Sequence, residues 1–204
     1  KRYKVDDENK ISMGIALRHF DICCKEKNIN IYDYLSKEAA GSKPGANGVI
    51  YMPYLMGERT PHIDPNVKGG FVGVSLINNH ADFVRSVLEG VSFSLKNCLD
   101  IIEDMKVDIT DVRVSGGGAE SEVWRQILAD IFNYKLSTIK ASEGPALGVA
   151  ILAGVGVGIY ESVEEACEKI IKGKDLVNPN CDNIALYDKI YKVYNSLYPR
   201  LKDI

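Results

Sequence analysis

The chain has 204 residues, 46% hydrophobic and 26% charged, which suits one large globular domain or two small ones. A net charge of −3, with no lysine/arginine block, excludes non-specific nucleic-acid binding, because that needs clustered positive charge to displace counterions. The five cysteines (Cys23, Cys24, Cys98, Cys167 and Cys181) are odd in number and form no Cys-x-x-Cys pair, so they read as reduced thiols in a cytoplasmic protein. The opening Lys-Arg-Tyr-Lys, followed by acids, is unlike a signal peptide.

In chain order, residues 11–27 are predicted as a helix, with Ile11, Ile15, Leu17, Phe20 and Cys24 offered to a core. A short helix follows from Ile31 to Ala39, then a turn over Lys43-Pro44-Gly45-Ala46-Asn47-Gly48. Val49 to Tyr54 and Phe71 to Leu76 read as strands. Ala81 to Met105 is the clearest helix: Val84, Val87, Leu88, Val91, Leu95, Cys98, Leu99 and Ile102 recur at spacings of three and four, which predicts the buried face. Asn79 is its expected cap, with Asp82 favoured in the first turn.

Val112 to Ser115 is predicted as a strand running into three glycines. A helix then begins near Ser121, with Trp124, Ile127, Leu128 and Ile131 inward. Lys135 to Lys140 is a further strand. The longest uncharged run, Gly144 to Tyr160, falls short of the about 20 apolar residues of a membrane span, so it reads as a buried helix. Its small residues Gly144, Gly148, Ala150 and Gly154 would admit a close neighbour, and Pro145 suits a first helical position. Ser162 and Glu165 form a capping box for the next helix. The last helix aligns Tyr187, Ile190, Tyr191, Tyr194, Leu197 and Tyr198. Alternating strands and helices predict an α/β domain.

Ser115-Gly116-Gly117-Gly118-Ala119 joins a strand to a helix. Without β-carbons a backbone turns sharply and approaches a ligand closely, and the helix N-terminus that follows attracts anions. The same three glycines also make an ordinary tight turn, and neither a Walker loop nor a Rossmann fingerprint is present. In the loop Glu58 to His62, Arg59 is a candidate for an anion and Glu58 its candidate ion-pair partner; a plain salt bridge is the competing reading. His62 and Asp64 lack further ligand-type neighbours, so no metal site is expected. The scattered His19, His62 and His80 build no hydrolase triad.

Gly57-Glu58-Arg59-Thr60-Pro61-His62-Ile63-Asp64-Pro65-Asn66-Val67-Lys68-Gly69 resembles the loop that carbohydrate kinases of the FGGY family, xylulose kinases in particular, carry in their C-terminal domain. Gly69-Gly70-Phe71-Val72-Gly73-Val74, followed after seven residues by Asp82-Phe83-Val84-Arg85-Ser86-Val87-Leu88-Glu89, is similar to that domain's signature. Ser115 to Ala119 with Trp124 to Asp130 is similar to the family's adenosine-binding segment. Ser12 to Arg18 is similar to the helix whose glycine contacts the ATP phosphates, and Gly14 holds that place. Where glycerol kinases place an asparagine on the nucleotide, this chain has Glu122, to which ribose hydroxyls could donate.

The resemblance implies an α/β, actin-like (ribonuclease H-like) domain over residues 1–204, the C-terminal half of a kinase and lacking its first strands. It implies that Gly116, Gly117, Gly118 and Ala119, with Gly14 and Glu122, bind the cofactor ATP. Mg2+ and positioning would supply most of the catalysis of γ-phosphoryl transfer to a sugar hydroxyl. The sugar and the catalytic base would belong to an N-terminal domain, leaving no catalytic residue here and an inactive isolated chain. D-xylulose, phosphorylated to D-xylulose 5-phosphate, is the implied substrate. Gluconate or a deoxy-ketose, a truncated non-catalytic interaction protein, and an actin- or Hsp70-like ATPase stay open as alternatives. An unpaired sheet edge would favour association, for instance as a homodimer.

Overall fold

The computed structural model describes residues 30–139, 144–171 and 173–203. The helix expected over 11–27, and with it Gly14, Arg18, His19, Cys23 and Cys24, lies outside the described residues.

Helix α1 (Ile31–Ala40) starts at Asn30, whose side chain accepts the Tyr32 N–H, and a single 3-10 turn over Ala46–Gly48 leads into strand β1 (Ile50–Met52). β1 pairs antiparallel with β2 (Gly70–Val72), with Tyr51 opposite Phe71. Between them runs the long Pro53–Gly69 loop. Helix α2 (His80–Asp104) is fixed at its start by a reciprocal capping box: Asn79 accepts the Asp82 N–H, and Asp82 accepts the Asn79 N–H. Strand β3 (Val112–Val114) runs through the glycine loop into helix α3 (Glu122–Phe132), capped by Ser121.

Strand β4 (Leu136–Ile139) lies parallel to β3, with Val112 opposite Leu136, the arrangement of a β-α-β crossover. Helices α4 (Gly144–Gly156) and α5 (Val163–Ile170) follow. Strand β5 (Gly173–Val177) then pairs antiparallel with the far side of β4. Helix α6 (Cys181–Leu201) closes the described chain. The core joins Met52, Tyr54 and Val67 to Phe93 of α2, Ile127, Leu128, Ile131 and Phe132 of α3, Leu136, and Tyr187, Tyr194 and Leu197 of α6. The expected α/β packing and the tyrosine stripe of the last helix are therefore present.

Two expectations are corrected, and one element was not foreseen. The fully buried positions of α2 are mostly polar, not the expected apolar stripe: Asp82, Arg85, Ser86, Glu89, Ser92 and Asn97 are buried alongside Phe93, whereas of the stripe Leu88 and Leu99 are partly buried against the core and Leu95 and Ile102 are exposed. The polar groups are buried because they pair with one another and with backbone, which removes the cost of desolvation. Second, the apolar run of α4 is not a buried helix among the described residues. Ile151 is buried, but Val149 is 68% and Leu152 61% exposed, and Val157 and Ile159 beyond it are more exposed still. The unforeseen element is β5: it carries Lys174 and Asp175 and shows no apolar alternation, so its sequence predicts no strand. No described helix is long and apolar enough to cross a membrane.

Candidate functional site

A cleft of about 670 Å3 opens between α1, α2 and the start of α3, within the usual range for small-molecule sites. One wall is α1, through Tyr32, Asp33, Leu35 and Ser36. The second is α2, through Val84, Val87 and Leu88, the first three residues of the stripe expected to fill the core. The third is the glycine loop with Gly117, Gly118, Glu120 and Ser121, backed by Trp124. Among the described residues no lysine, arginine or histidine lines it, and the charged side chains there are the carboxylates Asp33 and Glu120.

The loop has a defined shape. Gly116 takes φ 86° and ψ −179°, a combination open only to glycine. This turns the chain into a single 3-10 turn, Gly117–Glu120, in which the Ala119 N–H donates to the Gly116 carbonyl at 3.0 Å. The buried guanidinium of Arg125 fastens the turn from behind. Its Nη1 donates to the Ala119 carbonyl at 2.5 Å and to the Glu120 carbonyl at 3.2 Å. Gly117 has open space where a β-carbon would stand. Gly118 does not: a β-carbon there would lie 2.3 Å from the Trp124 ring.

The six expected nucleotide residues are thus distributed as follows. Gly117 and Gly118 line the cleft; Gly116 shapes the turn behind them; Ala119 is buried, with its carbonyl held by Arg125. Glu122 is exposed at the first position of α3 and is not part of the lining, while its neighbours Glu120 and Ser121 are. Gly14 lies outside the described residues. Sequence reading missed the α1 wall altogether and took Val84 and Val87 for core only; Trp124 and Leu88, also read as core, pack against it and line the cleft as well. A helical apolar stripe marks a surface that avoids water, and a ligand cleft satisfies that periodicity as well as a core does.

A buried polar cluster sets the spacing of the first two walls. Arg85 Nε donates to Glu89 Oε1 at 2.7 Å, and its Nη1 donates to the Ser42 carbonyl at 2.9 Å, just past the end of α1. Glu89 Oε1 also accepts from the Gly45 N–H at 2.9 Å and from the Tyr187 hydroxyl at 2.8 Å. Burial pushes the Glu89 carboxyl and the Tyr187 phenol upward. The Ser42 hydroxyl donates to Asp82 at 2.6 Å and holds that carboxyl below the usual range, helped by the Asn79 N–H and the Asn47 amide and opposed by burial.

The Glu58–His62 loop lies elsewhere, and none of its residues lines the cleft. The expected Glu58–Arg59 side-chain pair is absent from the ion pairs of the described residues. Glu58 Oε1 instead accepts the N–H groups of Arg59 at 2.7 Å and Thr60 at 3.0 Å, leaving the Arg59 side chain exposed. His62 stacks on Tyr198 of α6 at 3.6 Å between ring centroids, and Tyr198 donates to Asp64 at 3.1 Å. Burial lowers the His62 pKa. This loop clasps α6. Among the described residues no group of three or more histidine, cysteine or acidic side chains could hold a metal ion.

Comparison with known proteins adds the following. Residues 13–157 match the C-terminal domain of the FGGY family of carbohydrate kinases. A xylulose kinase of Staphylococcus epidermidis is 42% identical over 166 residues, 81% of this chain and 34% of that protein. A gluconokinase of Bacillus subtilis is 36% identical over 143 residues, 70% of this chain and 28% of that protein. Among solved structures, a ligand-bound xylulose kinase from Lactobacillus acidophilus superposes with a TM-score of 0.77 at 26% identity, covering 86% of this chain and 35% of that one. The chain therefore spans about a third of the length of the relatives it matches, and its fold is that of the C-terminal, actin-like ATPase domain of these kinases.

Proposed function

The chain belongs to the FGGY family of carbohydrate kinases, and from that premise we propose that it is the ATP-binding domain of a kinase that phosphorylates a sugar hydroxyl. The supporting observation is the chemistry of the cleft among the described residues: apolar walls, two carboxylates and a glycine lip. Such a surface suits the nucleoside part of ATP. Its apolar walls take the base, and its carboxylates and Ser121 accept from amine and ribose groups. Mg2+ would travel with the ATP phosphates, since the ion keeps several waters and binds through phosphate oxygens plus one or two carboxylates.

In this reading the γ-phosphoryl group passes in line to a sugar hydroxyl, with catalysis supplied by positioning and electrostatics. D-xylulose is the proposed acceptor, on the strength of the 42% identity to a xylulose kinase and of the Gly57–Gly69 loop. Gluconate is the second reading, favoured by the 36% identity to a gluconokinase. The sugar pocket and the base would be supplied by a domain beyond these residues, the isolated chain would be inactive, and the location would be cytoplasmic.

The test is calorimetric titration of the purified chain with a non-hydrolysable ATP analogue. Gly117→Arg is the appropriate control. Gly117 lines the cleft with free space at its β-carbon position, so an arginine there fills the site without displacing its neighbours. Saturable binding abolished in Gly117→Arg is expected; no binding to a folded chain would remove the claim that the half-site is preformed.

A further inference from the structure

We propose that His62 is a proton-operated catch: neutral, it holds the Gly57–Gly69 loop against helix α6, and protonated, it lets the loop go. The half-buried ring stacks on Tyr198 of α6, with 3.6 Å between centroids and 7° between planes. Its edge meets Tyr54, just past β1, whose hydroxyl lies 3.3 Å from His62 Nε2. The Tyr194 hydroxyl of α6 in turn donates to the Tyr54 oxygen at 3.0 Å. Each hydroxyl has one proton to give. With Tyr194 donating to it, Tyr54 has its own proton free for Nε2, and Nε2 accepts only when the ring is neutral and carries its proton on Nδ1. The chain of bonds from Tyr194 through Tyr54 to His62 therefore requires the neutral imidazole.

The charged and titratable groups around the ring offer an imidazolium no hydrogen-bonded counter-ion among the described residues. In its own loop, Glu58 spends Oε1 on the Arg59 and Thr60 N–H groups, and its other oxygen accepts from the Ser94 hydroxyl at 3.5 Å. Asp64 accepts the Asn66 and Val67 N–H groups on Oδ1 and the Tyr198 hydroxyl on Oδ2. From α6 come Tyr194 and Tyr198, with Lys202 and Asp203 near the Asp64–Tyr198 bond, and from the end of β1 comes Tyr54. Glu58 and Asp64 draw a proton toward His62 through space, but burial outweighs them and lowers its pKa.

Protonation sets two donors against the Tyr54 oxygen and leaves the Tyr54 proton without an acceptor, on a side chain only 2% exposed. Attraction of the charged ring for the Tyr198 face offsets part of this loss but does not satisfy the stranded hydroxyl. The catch holds fully above the ordinary histidine value of about 6.5 and weakens as pH falls below it, because the unfolded chain takes up the proton first. The loop so held shows Leu55, Met56, Arg59 and Ile63 to solvent, so the proton governs how that rim is presented.

The experiment is nuclear magnetic resonance of the isotope-labelled full chain, titrated from about pH 8 to about pH 4.5 across the histidine range. At the upper limit the ring nitrogens should report the proton on Nδ1. As the ring charges, through-space contacts between the His62 and Tyr198 rings should weaken, and exchange of the Asp64, Asn66 and Val67 amides, corrected for its intrinsic pH dependence, should quicken about tenfold. In His62→Phe, which stacks but cannot titrate, exchange should no longer vary with pH. In Tyr54→Phe the His62 pKa should rise, since the neutral ring loses the bond that favours it; if His62→Phe does not fold, this shift and the tautomer carry the test. A proton on Nε2 in the neutral chain would overturn the proposal. So would ring contacts and exchange that stay unchanged while His62 charges, a ring that stays neutral to the lower limit, or a His62→Phe chain whose loop loosens with acid as the parent does.

Discussion

At the scale of single residues, three adjacent glycines have three different reasons to be glycine, and substitution separates them. Gly116 is needed for its backbone angles, and Gly118 for the ring of Trp124; Gly117 is structurally dispensable. Gly118→Ala should therefore destabilise the chain by about 1–3 kcal/mol through overpacking, and Gly116→Ala by a similar amount through strain. Gly117→Ala should be neutral within about 0.5 kcal/mol. Urea denaturation of the three variants reads this directly, and equal costs at Gly117 and Gly118 would contradict the described loop. The motif was legible as a turn between strand and helix, because consecutive glycines leave the backbone free to bend sharply. Its division of labour was not, since that depends on where a ring six residues further on comes to rest.

At the scale of elements, the sequence told more about where helices are than about which way they face. The caps at Asn79 and Ser162 were readable because capping is local chemistry, decided within four residues. The orientation of α2 was not, because its polar stripe is buried with partners far away in sequence, such as Ser42, 40 residues from Asp82, and Tyr187, 102 residues from Arg85. Breaking that set should be costly. Arg85→Met leaves Glu89 buried with its charge partner gone, and a loss of about 3–5 kcal/mol is expected. A loss under about 1 kcal/mol, again by urea denaturation, would mean that Tyr187 and the Gly45 N–H suffice for Glu89. Because this pair links the end of α1 to α2, the same variant should also weaken nucleotide binding at the cleft those helices enclose.

The helix cap at Asp82 makes a pH prediction at the same scale. Its carboxyl is held below the ordinary range in the folded chain, chiefly by the Ser42 hydroxyl. On acidification the unfolded chain takes up this proton first, near a pKa of about 3.9, so stability rises with pH across this window. The contribution is complete above that value and is lost as pH falls through the lower folded-state pKa. Asp82→Asn, which cannot titrate, should flatten this part of the acid limb in denaturation curves taken between pH 2 and pH 6. An unchanged limb would place the acid sensitivity elsewhere.

At the scale of the whole molecule, the feature least at ease in water is α4 with the turn after it. A helix apolar on every side is normally enclosed, yet here Val149, Leu152, Val157 and Ile159 are all more than three-fifths exposed. Contiguous apolar surface of this kind marks an interaction site or an association hazard. Its periodicity could not say which, because the same glycine- and alanine-rich stripe serves a core, a domain contact or a contact between copies. Sedimentation of the chain over a range of concentrations should show reversible association. Val149→Lys with Leu152→Lys should abolish it without changing the urea midpoint, since neither side chain is buried. The double variant should also keep its affinity for the ATP analogue, because no α4 residue lines the cleft. If the double variant lost stability along with association, these side chains would have to be enclosed within the folded chain after all, and the sequence reading of a buried helix would be restored.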